Sequence, residues 1–166
     1  MKKIGVILMI IMMTGALFTG CGEKAEPSVS GNVNSKIDAK KMADYLVENT
    51  TFTDDMSPVD MEIFLSLYNL DESVVKDASL YASTGATAEE VAVITATDKT
   101  GMELIRKSCQ QRVEAQKQAF ENYVPEELTK LETPVMKQVG DAFVLVVCND
   151  SDKAEELIDN YTNTEV

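Results

Sequence analysis

The chain has 166 residues, a formal net charge of −13 from 15 basic and 28 acidic side chains, and no histidine. That acidic balance argues against nucleic-acid phosphates and anionic lipid headgroups as partners, since both are gripped by lysine and arginine patches. The missing histidine removes imidazole general-base chemistry and imidazole metal ligation.

Lys2 and Lys3 precede an uncharged, largely apolar stretch over residues 4–18, and Thr19, Gly20 and Cys21 follow. A spanning helix needs about 20 apolar residues, so the stretch suits the apolar region of a secretion signal. The run Leu17-Phe18-Thr19-Gly20-Cys21 resembles the lipobox of bacterial lipoproteins, with Phe18 where leucine is usual. The resemblance implies that the Cys21 sulfur receives a diacylglycerol and that the bond before it is cut. Residues 1–20 are then a lipoprotein signal peptide, and the mature chain sits on the extracytoplasmic face of the cell membrane. Loss of Lys2 and Lys3 takes the charge from −13 to −15, so the acyl chains, and not headgroup attraction, make the membrane a partner. Residues 21–36 read as a lipidated flexible tether. They hold Pro27, Gly31, three serines and two asparagines with no aromatic, too little apolar area to fold.

A single α+β domain is expected over 37–166. Asp38 caps a first helix whose stripe is Met42, Tyr45 and Leu46, with Ile37 and Met42 placed as a hydrophobic staple. Ser57 and Pro58 read as the start of a second helix, carrying Met61, Phe64, Leu65 and Tyr68, with Met56 and Met61 as its staple. Asp71 caps a short turn over 70–75. Alternation of Ala78, Leu80 and Ala82 predicts a strand over 76–83, and the apolar run after Glu90 predicts a more buried partner over 90–97, joined by a turn at 84–87. Thr100 and Glu103 form a capping box for the longest helix, which runs to about Asn122 with Met102, Ile105, Cys109, Val113, Gln116 and Phe120 inward. Pro125 stops it. A short helix over 126–131, a hairpin over 134–148 turning at Gly140-Asp141, and a last helix capped by Asp150 or Ser151 complete the chain. The order is N-terminal helices, then two hairpin–helix units. The natural solution is a four-stranded antiparallel sheet covered on one face by helices, the long one among them.

The run Ala88-Glu89-Glu90-Val91-Ala92-Val93, then Arg112, Gln116, Phe120, Tyr123 and Pro125, then Gly140-Asp141-Ala142-Phe143-Val144 resembles an uncharacterised family of small clostridial lipoproteins, classed as domain of unknown function 4358. The resemblance covers nearly the whole mature chain and rests on the order of its motifs. It brings no activity, substrate or catalytic residue.

Chemical signatures are mostly absent. No Cys-x-x-Cys, phosphate-binding glycine loop, Gly-x-Ser-x-Gly or calcium loop occurs, so no catalytic residue, metal site or cofactor is expected. Carboxylate pairs occur at Asp54-Asp55, Glu89-Glu90, Glu126-Glu127 and Glu155-Glu156. They read as helix starts and solvated faces. Cys109 and Cys148 are either a disulfide or two buried thiols, and buried unpaired thiols are the expectation.

Gln116 is the polar residue that stands out. It lies between Val113 and Phe120 on the inner face of the long helix, with Arg112 and Tyr123 on the same flank. It is either a helix-edge glutamine whose amide reaches water or, with Arg112 and Tyr123, part of a small ligand-binding spot. The chain therefore reads as a membrane-anchored lipoprotein, a noncatalytic binding or accessory module for a protein, cell-wall component or small solute. The alternative is a small cell-envelope hydrolase using carboxylate or Ser/Lys chemistry.

Overall fold

A computed structural model describes residues 28–29 and 36–164. Its elements are β1 (Ser28–Val29), α1 (Ala39–Asn49), β2 (Ser57–Val59), α2 (Met61–Tyr68), β3 (Val75–Ala82), β4 (Glu90–Ala96), α3 (Lys99–Phe120), α4 (Leu128–Glu132), β5 (Val135–Val139), β6 (Ala142–Val147) and α5 (Ser151–Thr164). Single 3-10 turns precede β3, over Glu72–Val74, and α4, over Pro125–Glu127. The expected signal peptide, the Cys21 lipidation site and all of the tether but residues 28–29 and Lys36 lie outside the described residues.

The α+β class and both hairpin–helix units are present. The sheet is larger than four strands, with order β1-β5-β6-β4-β3-β2. Five of these strands are antiparallel, and β1 runs parallel to β5. The added edge strand β2 falls where a helix start was expected. Ser57–Val59 pairs with β3, with Pro58 opposite Tyr81. Proline has no N–H to give a second neighbour, which an edge strand does not need. Helix α2 begins only at Met61, with Asp60 as its N-cap residue, so Met56 and Met61 form no staple across Ser57.

Helices cover both faces, not one. On one face α1 and α5 pack on Val91, Val93, Val144 and Val146. On the other, Phe64 and Tyr68 of α2, Leu131 of α4 and the Met102, Ile105, Cys109, Val113 and Phe120 stripe of α3 pack on Ala92, Ile94, Phe143, Leu145 and Val147. Strands β4 and β6 are buried along their whole length, as a strand apolar on both sides requires. The two hairpin–helix units thus send α3 and α5 to opposite faces. A two-fold axis through the sheet between β4 and β6 would leave both helices on one face, so the units are not symmetry copies.

Capping follows short-range chemistry. Asp38 accepts from the Lys41 N–H, and Asp150 from the Lys153 N–H. Helix α3 is capped by Asp98, which accepts from the Gly101 N–H at 2.7 Å, two residues before the Thr100 capping box that was expected. Gly140 has φ of +55° in the β5–β6 turn, a conformation glycine adopts without penalty. Cys109 and Cys148 are both free and buried. No helix among the described residues is long and apolar enough to cross a membrane.

Candidate functional site

Two buried polar networks start from neighbouring residues of β4. Glu89, immediately before the strand, is 1% exposed and Glu90, its first residue, is 0% exposed. The expectation that the Glu89-Glu90 pair is a solvated face fails here. A strand buried on both sides gives a carboxylate no route to water, so each must find partners inside.

Glu89 finds them on the chain around it. Its carboxylate accepts the Thr53 N–H at 2.9 Å on both oxygens and the Asp54 N–H at 3.0 Å. Lys130 Nζ stands 3.0 Å from Glu89 and 2.9 Å from Glu127. Glu127 in turn accepts the Ala88 N–H at 2.8 Å. Burial opposes ionisation of Glu89, but the Thr53 N–H, Lys130 and the Asp54 N–H outweigh it and hold the carboxyl below its usual range. Burial likewise opposes the Lys130 charge, and Glu127 and Glu89 outweigh it, raising that ammonium above its usual value. An ammonium flanked by two carboxylates occupies the place a cation would take. This network is closed, and it ties the 50–56 loop and α4 to the start of β4.

Glu90 points at α3. Arg112 donates Nε at 3.1 and 3.2 Å and Nη2 at 2.6 Å, Tyr68 donates its hydroxyl at 2.5 Å, and Gln116 donates Nε2 at 3.2 Å. Arg112 and Gln116 are one helical turn apart, which puts both over the same carboxylate. Burial, then the adjacent Glu90 charge, push the Tyr68 phenol well above its ordinary range, so it stays a donor. Burial opposes the Arg112 charge, but Glu90 outweighs it and raises the guanidinium.

This second network is not closed. Gln116 is 6% exposed, so the helix-edge reading fails. Its Oε1 is buried and has no hydrogen-bond partner. The amide cannot be reversed, because Oε1 would then face the Glu90 carboxylate. Gln116 also borders an open space. An open cleft of about 290 Å³ lies between α3 and the 83–87 turn, lined by Arg112, Gln116, Phe120 and Tyr123 on the helix side. Gly85, with φ of +95° and no atom within 4 Å of where a Cβ would be, forms part of the opposite wall. Tyr123 is 67% exposed and its ring lies 6.1 Å from that of Phe120.

Arg112, Gln116 and Tyr123, singled out by helical spacing, therefore meet in one cleft. Glu90 and Tyr68, which organise two of them, were missed. A signal for Glu90 was present: it opens a run of six further residues through Ala96 with no charge, which implies burial on both sides. Tyr68 sits one turn after Phe64 on the buried stripe of a short helix and reads as core alone. Among the described residues, no group of three or more acidic or cysteine side chains is arranged to hold a metal ion.

The profile of the DUF4358 family, described as a domain of unknown function, matches residues 48–148. That span takes in β2 through β6 and both polar networks. No curated protein and no solved structure matches the chain.

Proposed function

This chain belongs to the DUF4358 family, and we propose that it is an extracytoplasmic, lipid-anchored binding module whose ligand site is the cleft beside Gln116. The partnerless, buried Oε1 of Gln116, a residue that lines that cleft, carries the reading. A buried acceptor without a donor costs about 1–3 kcal/mol, and a ligand donor would recover it. Tyr123 at the rim and Phe120 beside it supply the apolar contact, and Glu90, itself held by Arg112, accepts from the amide nitrogen.

Binding is favoured over hydrolysis by how the carboxylates are used. A general acid or base needs a carboxyl within reach of the reacting atom. Glu89 is committed to Lys130 and two backbone N–H groups, and Glu90 to Arg112, Tyr68 and Gln116. The anchor rests on Lys2, Lys3, the apolar stretch and the lipobox-like run ending at Cys21.

Both halves of the reading can be tested. A small-molecule fragment screen by NMR on the full chain in detergent micelles should give shifts clustered at Gln116, Tyr123 and the 83–87 turn. Hits scattered elsewhere, with none at the cleft, overturn the ligand site. Cys21→Ala should release the protein from membranes or leave it uncut, and an unmodified Cys21 in the mass of the membrane-bound protein overturns the anchor.

A further inference from the structure

We infer that the cleft beside Gln116 takes a small primary amine in its protonated form, an inference that rests on the binding reading above. The first ground is hydrogen-bond polarity. Glu90 holds the glutamine nitrogen at 3.2 Å, so the group turned away from it is an acceptor, and only a donor satisfies an acceptor. The terminal torsion of glutamine is broad, so the carbonyl can tilt toward a donor seated in the cleft while the nitrogen keeps Glu90.

The second ground is charge. The charged side chains of the two networks are Glu89, Glu90, Glu127, Arg112 and Lys130, three acids against two bases, leaving one formal negative charge. The Arg112 guanidinium is clasped by Glu90 through Nε and Nη2, so its charge is met within the protein. The chain as a whole carries −13. Such a field concentrates cations and excludes anions.

The third ground is shape. The volume of about 290 Å³ equals about ten water volumes at about 30 Å³ each, small for a ligand pocket. Ala115 and Ala119 keep the helix side low. Phe120 and the exposed Tyr123 line the cleft with their rings 6.1 Å apart, aromatic surface for an apolar stem and, at its end, for an ammonium. A compact organic cation fits these three conditions together. A neutral alcohol meets only the first and third, and a carboxylate only the third.

The test compares 2-phenylethylamine, 2-phenylethanol and phenylacetate, three probes of one shape and different charge, titrated into the full chain in detergent micelles by NMR at neutral pH. The amine should bind at the cleft about tenfold more tightly than the alcohol, and phenylacetate should not displace it. Ala119→Leu, an exposed helical position on the cleft wall, should abolish amine binding without lowering the melting temperature. Gln116→Met should weaken the amine by about tenfold. Equal affinity for amine and alcohol, or tighter binding of phenylacetate at the cleft, overturns the charge assignment and leaves the binding reading standing. Failure of the amine to bind at the cleft while unrelated fragments do overturns this inference alone. Amine binding that Ala119→Leu leaves unchanged overturns its location.

Discussion

Glu89 and Glu90 are chain neighbours with almost no exposure, yet their networks end differently. Around Glu89 the donors are backbone N–H groups, the Thr87 hydroxyl and a lysine shared with Glu127. Around Glu90 the donors are three long side chains from α2 and α3, and the last of them, Gln116, is left with an open acceptor. A carboxylate met by the backbone is a lock, since the loop it holds cannot leave without exposing it. One met by side chains on a separate helix can bring further polar atoms inward, and the mismatch left over is where a ligand enters. The comparison teaches that burial alone does not separate structural charge from functional charge. Completeness of the hydrogen bonding does.

The largest effects should come from removing either carboxylate. Glu89→Ala leaves the Thr53 and Asp54 N–H groups unmet and Lys130 with Glu127 alone, Glu90→Ala strands Arg112, and each is expected to cost about 3–5 kcal/mol in chemical denaturation. If Glu89→Ala proves near neutral, the lock does not exist. Acid should discriminate next. Glu89 is held below the ordinary glutamate range near 4.5, so the unfolded chain takes its proton more readily than the folded one. The stability it confers is complete above that range and is lost as pH falls through it toward the folded value. The gap in stability between the native chain and Glu89→Gln should therefore shrink on acidification, and a constant gap from neutral pH to pH 3 would contradict the paired geometry. A smaller effect is expected for Gln116→Leu. It forfeits one bond to Glu90, which keeps Arg112 and Tyr68, and removes an unsatisfied acceptor. These offset, so the change should stay within about 1 kcal/mol, whereas a fully bonded glutamine would lose more. Smallest of all, Cys109 and Cys148 should show no thiol labelling until the chain unfolds, because burial raises both thiols. Labelling of Cys109 in the native protein would mean that α3 lifts from the sheet.

Much of this was legible in the sequence, for identifiable reasons. Period and capping residues gave α1, α3, α5 and both hairpins, because these depend on neighbours in the chain. Arg112, Gln116 and Tyr123 were found because four- and seven-residue steps share a helix face. The start of α2 was misplaced because Ser57-Pro58 and Asp60 are both plausible helix openings, and only β3 decides that Pro58 lies on a sheet edge. The number of covered faces was misjudged, although β4 and β6 each run apolar on both sides. Glu89-Glu90 misled most. A carboxylate pair beside an apolar strand reads as a boundary charge, and its partners Tyr68, Arg112 and Lys130 lie 22 to 41 residues away. That Oε1 of Gln116 lacks a partner is a property of the assembled fold and has no sequence signal.

The double coverage of β4 also sets a clock for amide hydrogen exchange. Its backbone is paired to β3 and β6 and sealed by helices on both sides, so its amides should exchange only when the whole domain unfolds. The 83–87 turn lies outside the strand ladder and is held by bonds from Thr84 to Asp54, from Ser83 to Thr87 and from Thr87 to Glu89, so it should open at lower cost than β4. The cleft therefore has one wall in the slowest-exchanging part of the molecule and one that should exchange sooner. An occupant has nothing to slow at Glu90 and everything to slow across 83–87, and mass-resolved exchange of that single turn is where occupancy would first be read.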